Sequence, residues 1–505
     1  MMFDLSNVEL VGQRTPDPLR FAFQRKKSPH AGGMMHAVKG DDIQSSLEAA
    51  HSLVPANRFA PRCLYIHIPF CRVRCTYCNF FQYALSKNLI DSYVDALRKE
   101  IEWKAAQAWT QGAPFQAIYI GGGTPTDISA AQIHTIVSDI RRLFPLTPDC
   151  EITLEGRINR FGTDKFEAAL EAGVNRFSFG VQSFNTKVRR SAKRLDDREV
   201  VIEKIQQLVS YNAAPIVLDL LYGLPYQTLD VWQQDLEDYL ETGAHGVDLY
   251  QLIEMQGLPM AKMVEQGKLP HPADTQMKAT MFEMGVNFMA KHHQKRLSVN
   301  HWASDNRERS IYNSLAKTTA EIMPLGAGAG GNVNGCQMMQ TRDMETYITA
   351  INENRYPVTM MTMAPANKAV AAEVKSAFDA GVVAEHKLDK VAGKGTFSAL
   401  IPLFEAWEQN GLVYLERSDA EFAHRGYVKL TLAGQFWAVT LAQNLIEVIQ
   451  GSAPKASDAM APKIMGGMAM PKMGMPGASS MPSDAKKTTS EDQKELESKA
   501  AHVAA

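Results

Sequence analysis

The stretch that decides the fold reads Leu64-Tyr65-Ile66-His67-Ile68-Pro69-Phe70-Cys71-Arg72-Val73-Arg74-Cys75-Thr76-Tyr77-Cys78. A short apolar run leads into three cysteines spaced CxxxCxxC, so one tight loop offers three thiolates. A cubic [4Fe–4S] cluster takes one thiolate per iron. Three thiolates leave one iron open to a small molecule. Zinc is the competing reading, but structural zinc prefers four ligands in paired sets, and the sequence has no second pair. With 6 Cys in 505 residues, this spacing arises by chance about once in a thousand chains. An iron–sulfur cluster held by Cys71, Cys75 and Cys78 is therefore the favoured reading.

Composition sets the frame around that loop. Apolar residues make up 45% and charged residues 21%, as in ordinary globular chains. A chain of 505 residues has room for a large core, two domains and tails. A net charge of −2 gives no electrostatic reason to expect nucleic acid or an anionic membrane as partner. No run of about 18 apolar residues occurs, so no membrane span is expected. Met1-Met2-Phe3-Asp4 brings an early acid and no apolar signal core. Six cysteines in so long a chain are not a disulfide framework. The cluster needs a reducing compartment, so a cytoplasmic location is expected.

Outward from the cysteines, strand and helix patterns alternate. Leu64–Ile68 reads as a buried strand, and Leu89 to Trp109 follows at helical spacing. Ala117–Ile120 is the next strand, ended by Gly121-Gly122-Gly123-Thr124-Pro125-Thr126. Ser129 and Gln132 form a capping-box signal. Glu151–Leu154, Arg176–Phe179, Ile216–Leu221 and Val247–Leu252 read as further strands. A helix over Thr163 to Ala172 is stopped by Gly173. Six βα units predict an α/β fold, a parallel sheet partly closed into a (β/α)6 barrel. Active sites in such sheets lie at the C-terminal strand ends, where the unusual residues fall. The predicted layout is an N-terminal arm over 1–60, the barrel over 61–335, a small helical, winged-helix-like domain over 336–450 and a tail over 451–505. That tail mixes Met, Pro, Gly, Ala and Lys, builds no core and is expected to be disordered. The arm carries Gln24-Arg25-Lys26-Lys27, which reads either as a solvated run or, with Arg20, as partners for substrate carboxylates.

Taken together, Tyr65-Ile-His-Ile-Pro-Phe-Cys71, the cysteine loop and Gly121–Thr126 resemble the radical S-adenosylmethionine (SAM) superfamily, in the subgroup of oxygen-independent coproporphyrinogen dehydrogenase. The resemblance implies a [4Fe–4S] cluster whose open iron binds SAM through its amine and carboxylate. It implies a low-potential electron donor of the flavodoxin or ferredoxin type. It places Tyr77 against the adenine and Gly122, Gly123 and Thr124 at the methionine amine. Glu155, at a strand end, suits ribose hydroxyls or an ammonium. Gln182, Arg194 and Asp219 keep the subgroup's spacing, which implies SAM contacts, as it does for Tyr65 and Ile253. The glycine-rich Leu325–Asn332 resembles a late segment of the subgroup and suggests close backbone approach to substrate or a second SAM. Cys63, Cys150 and Cys336 read as buried small residues.

Two positions depart from the dehydrogenase. Phe80 stands where it has a further Cys, and Gly156-Arg157-Ile158-Asn159-Arg160 follows Glu155 where Pro is usual. The arm from Thr15 to Gly33 and Leu154-Glu-Gly-Arg-Ile158 are most similar to the anaerobic haem-degrading methyltransferases (ChuW/HutW type). That similarity implies opening of haem to a linear methylated tetrapyrrole with loss of iron, a haem or related tetrapyrrole as substrate, and Arg157 and Arg160 as candidates for its carboxylates. Decarboxylation of coproporphyrinogen III and non-catalytic haem carriage are the alternatives.

Overall fold

Six parallel strands carry the fold in the computed structural model of the chain. They are β1 (Arg62–Ile68), β2 (Phe115–Gly122), β3 (Leu146–Gly156), β4 (Arg176–Gln182), β5 (Ile216–Tyr222) and β6 (Gly246–Gln251). Each pairs with the next. Helices α1 (Lys87–Ala105), α2 (Ala130–Leu143), α3 (Thr163–Ala172), α4 (Arg198–Ser210), α5 (Leu229–Thr242) and α6 (Thr275–Lys291) follow the six strands in turn. The structure describes residues 4–27, 31, 36–37, 40–55, 57–80, 83–364, 368–417 and 426–451. Residues 1–456 form one compact unit; a second, 457–505, lies outside the described residues, so the expected disorder of the Met-rich tail falls there too.

The α/β reading holds, and the sheet is wider than six strands. β7 (His301–Ala303) adds antiparallel to β6, and β8 (Glu321–Leu325) returns parallel along the free edge of β1. β9 (Gly330–Val333), β10 (Cys336–Gln340) and β11 (Val358–Met363) extend that edge antiparallel. With Lys295–Arg296 and His36–Ala37 at the two edges, 13 described strands form one sheet, which runs on past residue 335. β1 lies between β8 and β2 rather than against β6, so the six-strand unit stays open. Beyond it, β12 (Val382–Ala384), β13 (Val413–Glu416) and β14 (Tyr427–Leu430) make a small antiparallel sheet. Helices α7 (Lys368–Ala380), α8 (Ile401–Gln409) and α9 (Ala438–Ile449) accompany it.

Local signals explain the element ends. Ser129 Oγ accepts from the Gln132 amide at 3.2 Å while Gln132 Oε1 accepts from the Ser129 amide at 3.0 Å, the reciprocal cap that starts α2. Gly173, at φ 109°, ends α3 in the left-handed region. The helix expected to reach Trp109 stops at Ala105 instead. The Lys104 and Ala105 carbonyls, which would carry the helix on, accept instead from Thr110 Oγ1 at 2.6 Å and Gln111 Nε2 at 2.7 Å, and Trp109 falls in a separate short helix, Ala108–Gln111.

The N-terminal arm corrects the solvated reading. Leu10, Val11, Leu19, Ala22 and Phe23 are buried. Trp407 Nε1 donates to the Leu10 carbonyl at 3.0 Å, and Trp437 Nε1 to those of Pro18 and Leu19 at 3.1 Å. The basic residues are largely used internally. Arg20 pairs with Glu283 at 2.6 Å and Asp17 at 3.0 Å, and Lys27 pairs with Glu447. Lys26 lies over the Phe436 ring at 4.2 Å. Burial, and then the Lys278 ammonium, push it down to about 7. Arg20 and Lys27 are thus structural cations rather than free carboxylate partners; Arg25 is exposed.

Candidate functional site

The predicted cofactor residues lie at, or in the loops beyond, the C-terminal ends of β1 to β6, except Tyr65 and Asp219, which stand in the middle of β1 and β5. Cys71 and Cys75 are buried and Cys78 is half-buried, all three unbridged. Two close backbone contacts fold the cysteine loop onto the β2 turn. Gly123 N–H donates to the Ile68 carbonyl at 2.9 Å, and Thr124 N–H to that of Phe70 at 2.7 Å. A Cβ on Gly123 would stand 2.5 Å from the Phe70 oxygen, so only glycine lets the two loops meet. The predicted role of this triplet in ligand approach is joined by a packing role. Gly122, at φ 121°, turns beneath the His67 ring. Thr124 Oγ1 sits 3.2 Å from Cys71 Sγ.

Two guanidiniums face the cysteines. Arg157 Nη1 donates to the Val73 carbonyl at 2.8 Å and Nη2 to Cys71 Sγ at 3.6 Å. Its fork enters the cysteine loop, which corrects its assignment to substrate carboxylates; Arg160 is exposed. Arg194 donates to the Gly180 carbonyl at 2.9 Å and to Tyr77 Oη at 3.1 Å. Burial raises the Cys71 thiol to about 11 despite Arg157 and Thr124, and raises Cys78. Burial opposes ionisation of Cys75 as well, but Arg194 and Arg157 overcome it and lower that thiol. A narrow cleft of about 30 Å³ opens beside them, lined among others by Arg72, Asp127, Arg157, Arg189, Lys193 and Arg194.

The acidic side of the site follows β3 and β5. Burial, with Asp219 next, pushes Glu155 up to about 7, against hydrogen bonds from Tyr119 and the Gly122 amide. Burial and Asp248 push Asp219 up to about 7, against Arg176, His301 and Ser178. Ser178 Oγ donates to Asp219 at 3.3 Å. Gln182 is buried at φ 73°, next to an irregularity in the β4–β5 register, a strained geometry for a non-glycine residue at a strand end. Tyr65 Oη meets His67 Nδ1 at 2.9 Å and its ring stacks on Tyr119. Ile253 is 46% exposed in the loop after β6, apart from these contacts.

The glycine-rich segment after β8 packs closely against its own neighbours. Gly326 N–H donates to Glu100 at 2.7 Å, and its Cα lies against the Tyr93 hydroxyl and the His67 carbonyl. Its close approach is to the protein itself. Cys63, Cys150 and Cys336 are buried as expected.

Sequence reading missed the layer beneath Asp219. Asp248 stands opposite Asp219 across β5 and β6, and His301 stands opposite Asp248 on β7. His301 lies between Asp248 at 2.7 Å and Glu308 at 3.1 Å, and Glu308 takes the Arg176 fork at 3.0 Å. No spacing motif marks these residues. The inward alternation along β4 and β6 is the one signal pointing to Arg176 and Asp248.

The residues fit the cofactors. Among the described residues no three His, Cys, Asp or Glu side chains converge on a single-ion site; a cluster asks instead for one thiolate on each of three irons. Arg194 is 8% exposed and its buried Nε has no partner among the described residues, a cation still open to a carboxylate. No described helix is long and apolar enough to cross a membrane.

Known proteins match this arrangement. The radical SAM superfamily model matches residues 65–239. The solved coproporphyrinogen III oxidase (HemN) of Escherichia coli superposes with a TM-score of 0.68 at 19% identity, over 84% of this chain and 97% of its own, a likeness of fold. Heme chaperone HemW of Bacillus subtilis (strain 168) is 30% identical over 58% of this chain and 76% of its own length. Anaerobilin synthase of Escherichia coli O157:H7 is 38% identical over 392 residues, 77% of this chain and 84% of that protein. At that identity and coverage the chain belongs to the radical SAM superfamily, in the family of anaerobilin synthase, and uses the superfamily's [4Fe–4S] cluster and SAM.

Proposed function

We propose that the chain is a radical SAM methyltransferase that opens the haem macrocycle without oxygen, giving a linear methylated tetrapyrrole and releasing iron. The observation that carries this reading is the 38% identity to anaerobilin synthase across 84% of that protein. Phe80, where the dehydrogenase pattern has Cys, and the stretch from Gly156 to Arg160, where a Pro is usual, support it.

When bound, the cluster would supply the electron for reductive cleavage of SAM, with methionine as the leaving group, and a low-potential flavodoxin- or ferredoxin-type donor in the cytoplasm would replace that electron. Cys71, Cys75 and Cys78 would hold the cluster. The buried Arg194 guanidinium, with Nε open, would take the SAM carboxylate. Carbonyls of the Gly122–Thr124 loop would meet its ammonium. Glu155, Asp219 and Gln182 would orient ribose hydroxyls, with Tyr77, Tyr65 and Ile253 around the adenosine. Arg194 also grips the Tyr77 hydroxyl, so SAM carboxylate and adenine pocket would be set by one side chain.

One anaerobic assay tests the reading. Reconstituted protein, reductant and SAM are given haem or coproporphyrinogen III. Loss of the Soret band with a mass gain of one methyl group is expected. Loss of two carbon dioxide molecules from coproporphyrinogen III would assign the dehydrogenase reaction instead. Haem bound intact, with no deoxyadenosine formed, would make the chain a haem carrier.

A further inference from the structure

Arg157 lies in the Gly156–Arg160 stretch, one of the two places where this chain departs from the dehydrogenase pattern, and its fork is turned to the cysteine loop. Its own amide donates to Thr126 Oγ1 at 3.2 Å, which ties the residue to the turn after β2. Its fork then divides between the Val73 carbonyl and Cys71 Sγ. The side chain is thus held at both ends, and one N–H reaches a sulfur that ligates iron when the cluster is bound. We propose that Arg157 is a tuning residue of the cluster, setting its reduction potential through a charged hydrogen bond to Cys71.

The argument is electrostatic. Reduction adds one negative charge to the cluster and its thiolates. A guanidinium in hydrogen-bond contact with one thiolate stabilises the reduced state more than the oxidised one, and hydrogen bonds to the sulfurs are a known lever on such potentials. Arg194, the other nearby cation, is the group proposed to meet the SAM carboxylate, which would neutralise it on binding. Arg157 makes no contact of that kind, so its charge stays directed at the thiolates.

The deciding readout is taken on the whole reconstituted protein without haem, so it depends on the cluster and not on the substrate reading; a separate turnover assay with the tetrapyrrole supplies KM. Potentiometric titration followed by electron paramagnetic resonance compares wild type with Arg157→Gln. The expected result is a more negative midpoint potential at equal iron and sulfide content, with KM for the tetrapyrrole unchanged. An unchanged potential with a raised KM would overturn the proposal and return Arg157 to the substrate. If the Gln protein does not assemble a cluster, Arg157→Lys decides. It keeps a charge but not the fork, so a midpoint below wild type supports the proposal and an equal one overturns it.

Discussion

Two buried charge networks stand on different faces of the sheet and are built on opposite plans. Glu100 and Lys104, one turn apart on α1, are fully buried and form an ion pair at 2.7 Å. Each is also satisfied elsewhere. Glu100 accepts from Gly326 N–H and Tyr347 Oη, both at 2.7 Å, and Lys104 donates to the Pro324 carbonyl at 2.8 Å and Gln340 at 3.2 Å. One acid meets one base, and the pair clips α1 to the hairpin after β8. The second network joins Arg176, Glu308, His301, Asp248 and Asp219 along the inward face of the strands. There three carboxylates face two bases. A balanced pair can be closed off as architecture. An unbalanced chain keeps a proton whose position depends on pH, and this chain ends on Asp219, a residue proposed to meet SAM.

Breaking the networks separates them. Arg176→Met strips the fork from buried Glu308 and leaves three acids around His301 alone. The expected loss is about 5 kcal/mol, the upper end for a broken buried pair, read as a lower urea midpoint at unchanged slope. Lys104→Met is milder, about 3 kcal/mol, because Glu100 keeps two donors. The sharper comparison is the double change Glu100→Gln with Lys104→Met. It removes both charges yet keeps an acceptor for Gly326 and Tyr347, so most of the loss should return, since neutral replacement of a buried pair is often near cost-free. If the double variant is as unstable as the single, the pair is not self-contained and the contrast fails.

The two networks were also unequally legible in sequence. The cysteine loop and the six strands could be read because local spacing and alternation carry them, and Glu155, Gln182 and Asp219 because they fall on those strands at the spacing of the family resembled. Gln182 was identified without its strain, because a positive φ at a non-glycine residue leaves no compositional mark. His301 went unseen: its partners Asp248, Glu308 and Arg176 come from three separate segments and meet only through strand register. The arm was misread for a different reason. Its helices Val8–Val11 and Pro18–Phe21 are four residues each, too short for a 3.6-residue period to show, and their burial is set by Trp407 and Trp437 some four hundred residues away. Arg157 was noticed as unusual, but its contacts with Val73 and Cys71 could not be read, because a basic residue near a predicted acidic substrate says nothing about where its fork points.

The smallest expected effect tests the unbalanced network most directly. Asp219 and Glu155 are both pushed up to about 7 by burial and by facing acids. Around Asp219 stand Asp248, Arg176, His301 and Ser178. As hydroxyl acceptors they serve best ionised, so SAM should bind about tenfold more tightly per titrating group at about pH 8 than at about pH 6. Stability of the SAM-free protein should move the other way. The folded chain holds the Asp219 proton where an unfolded one, at 3.8, has lost it, so stability falls as pH rises from there towards 7. His301, raised to about 9 by Asp248 and Glu308 against its burial, adds stability that is full below its ordinary 6.5 and is lost as pH rises through 9. Glu308, lowered to about 2 by Arg176 and His301 against burial, acts at the acid end, with stability present above 4.5 and lost as pH falls through 2. SAM affinity and the thermal midpoint, measured anaerobically across this range, should therefore run in opposite directions. Asp219→Asn should bind SAM more weakly with a flatter pH profile. A wild-type affinity that ignores pH would mean that these carboxylates do not meet the ligand, and that the lumen network, like Glu100 and Lys104, serves the fold alone.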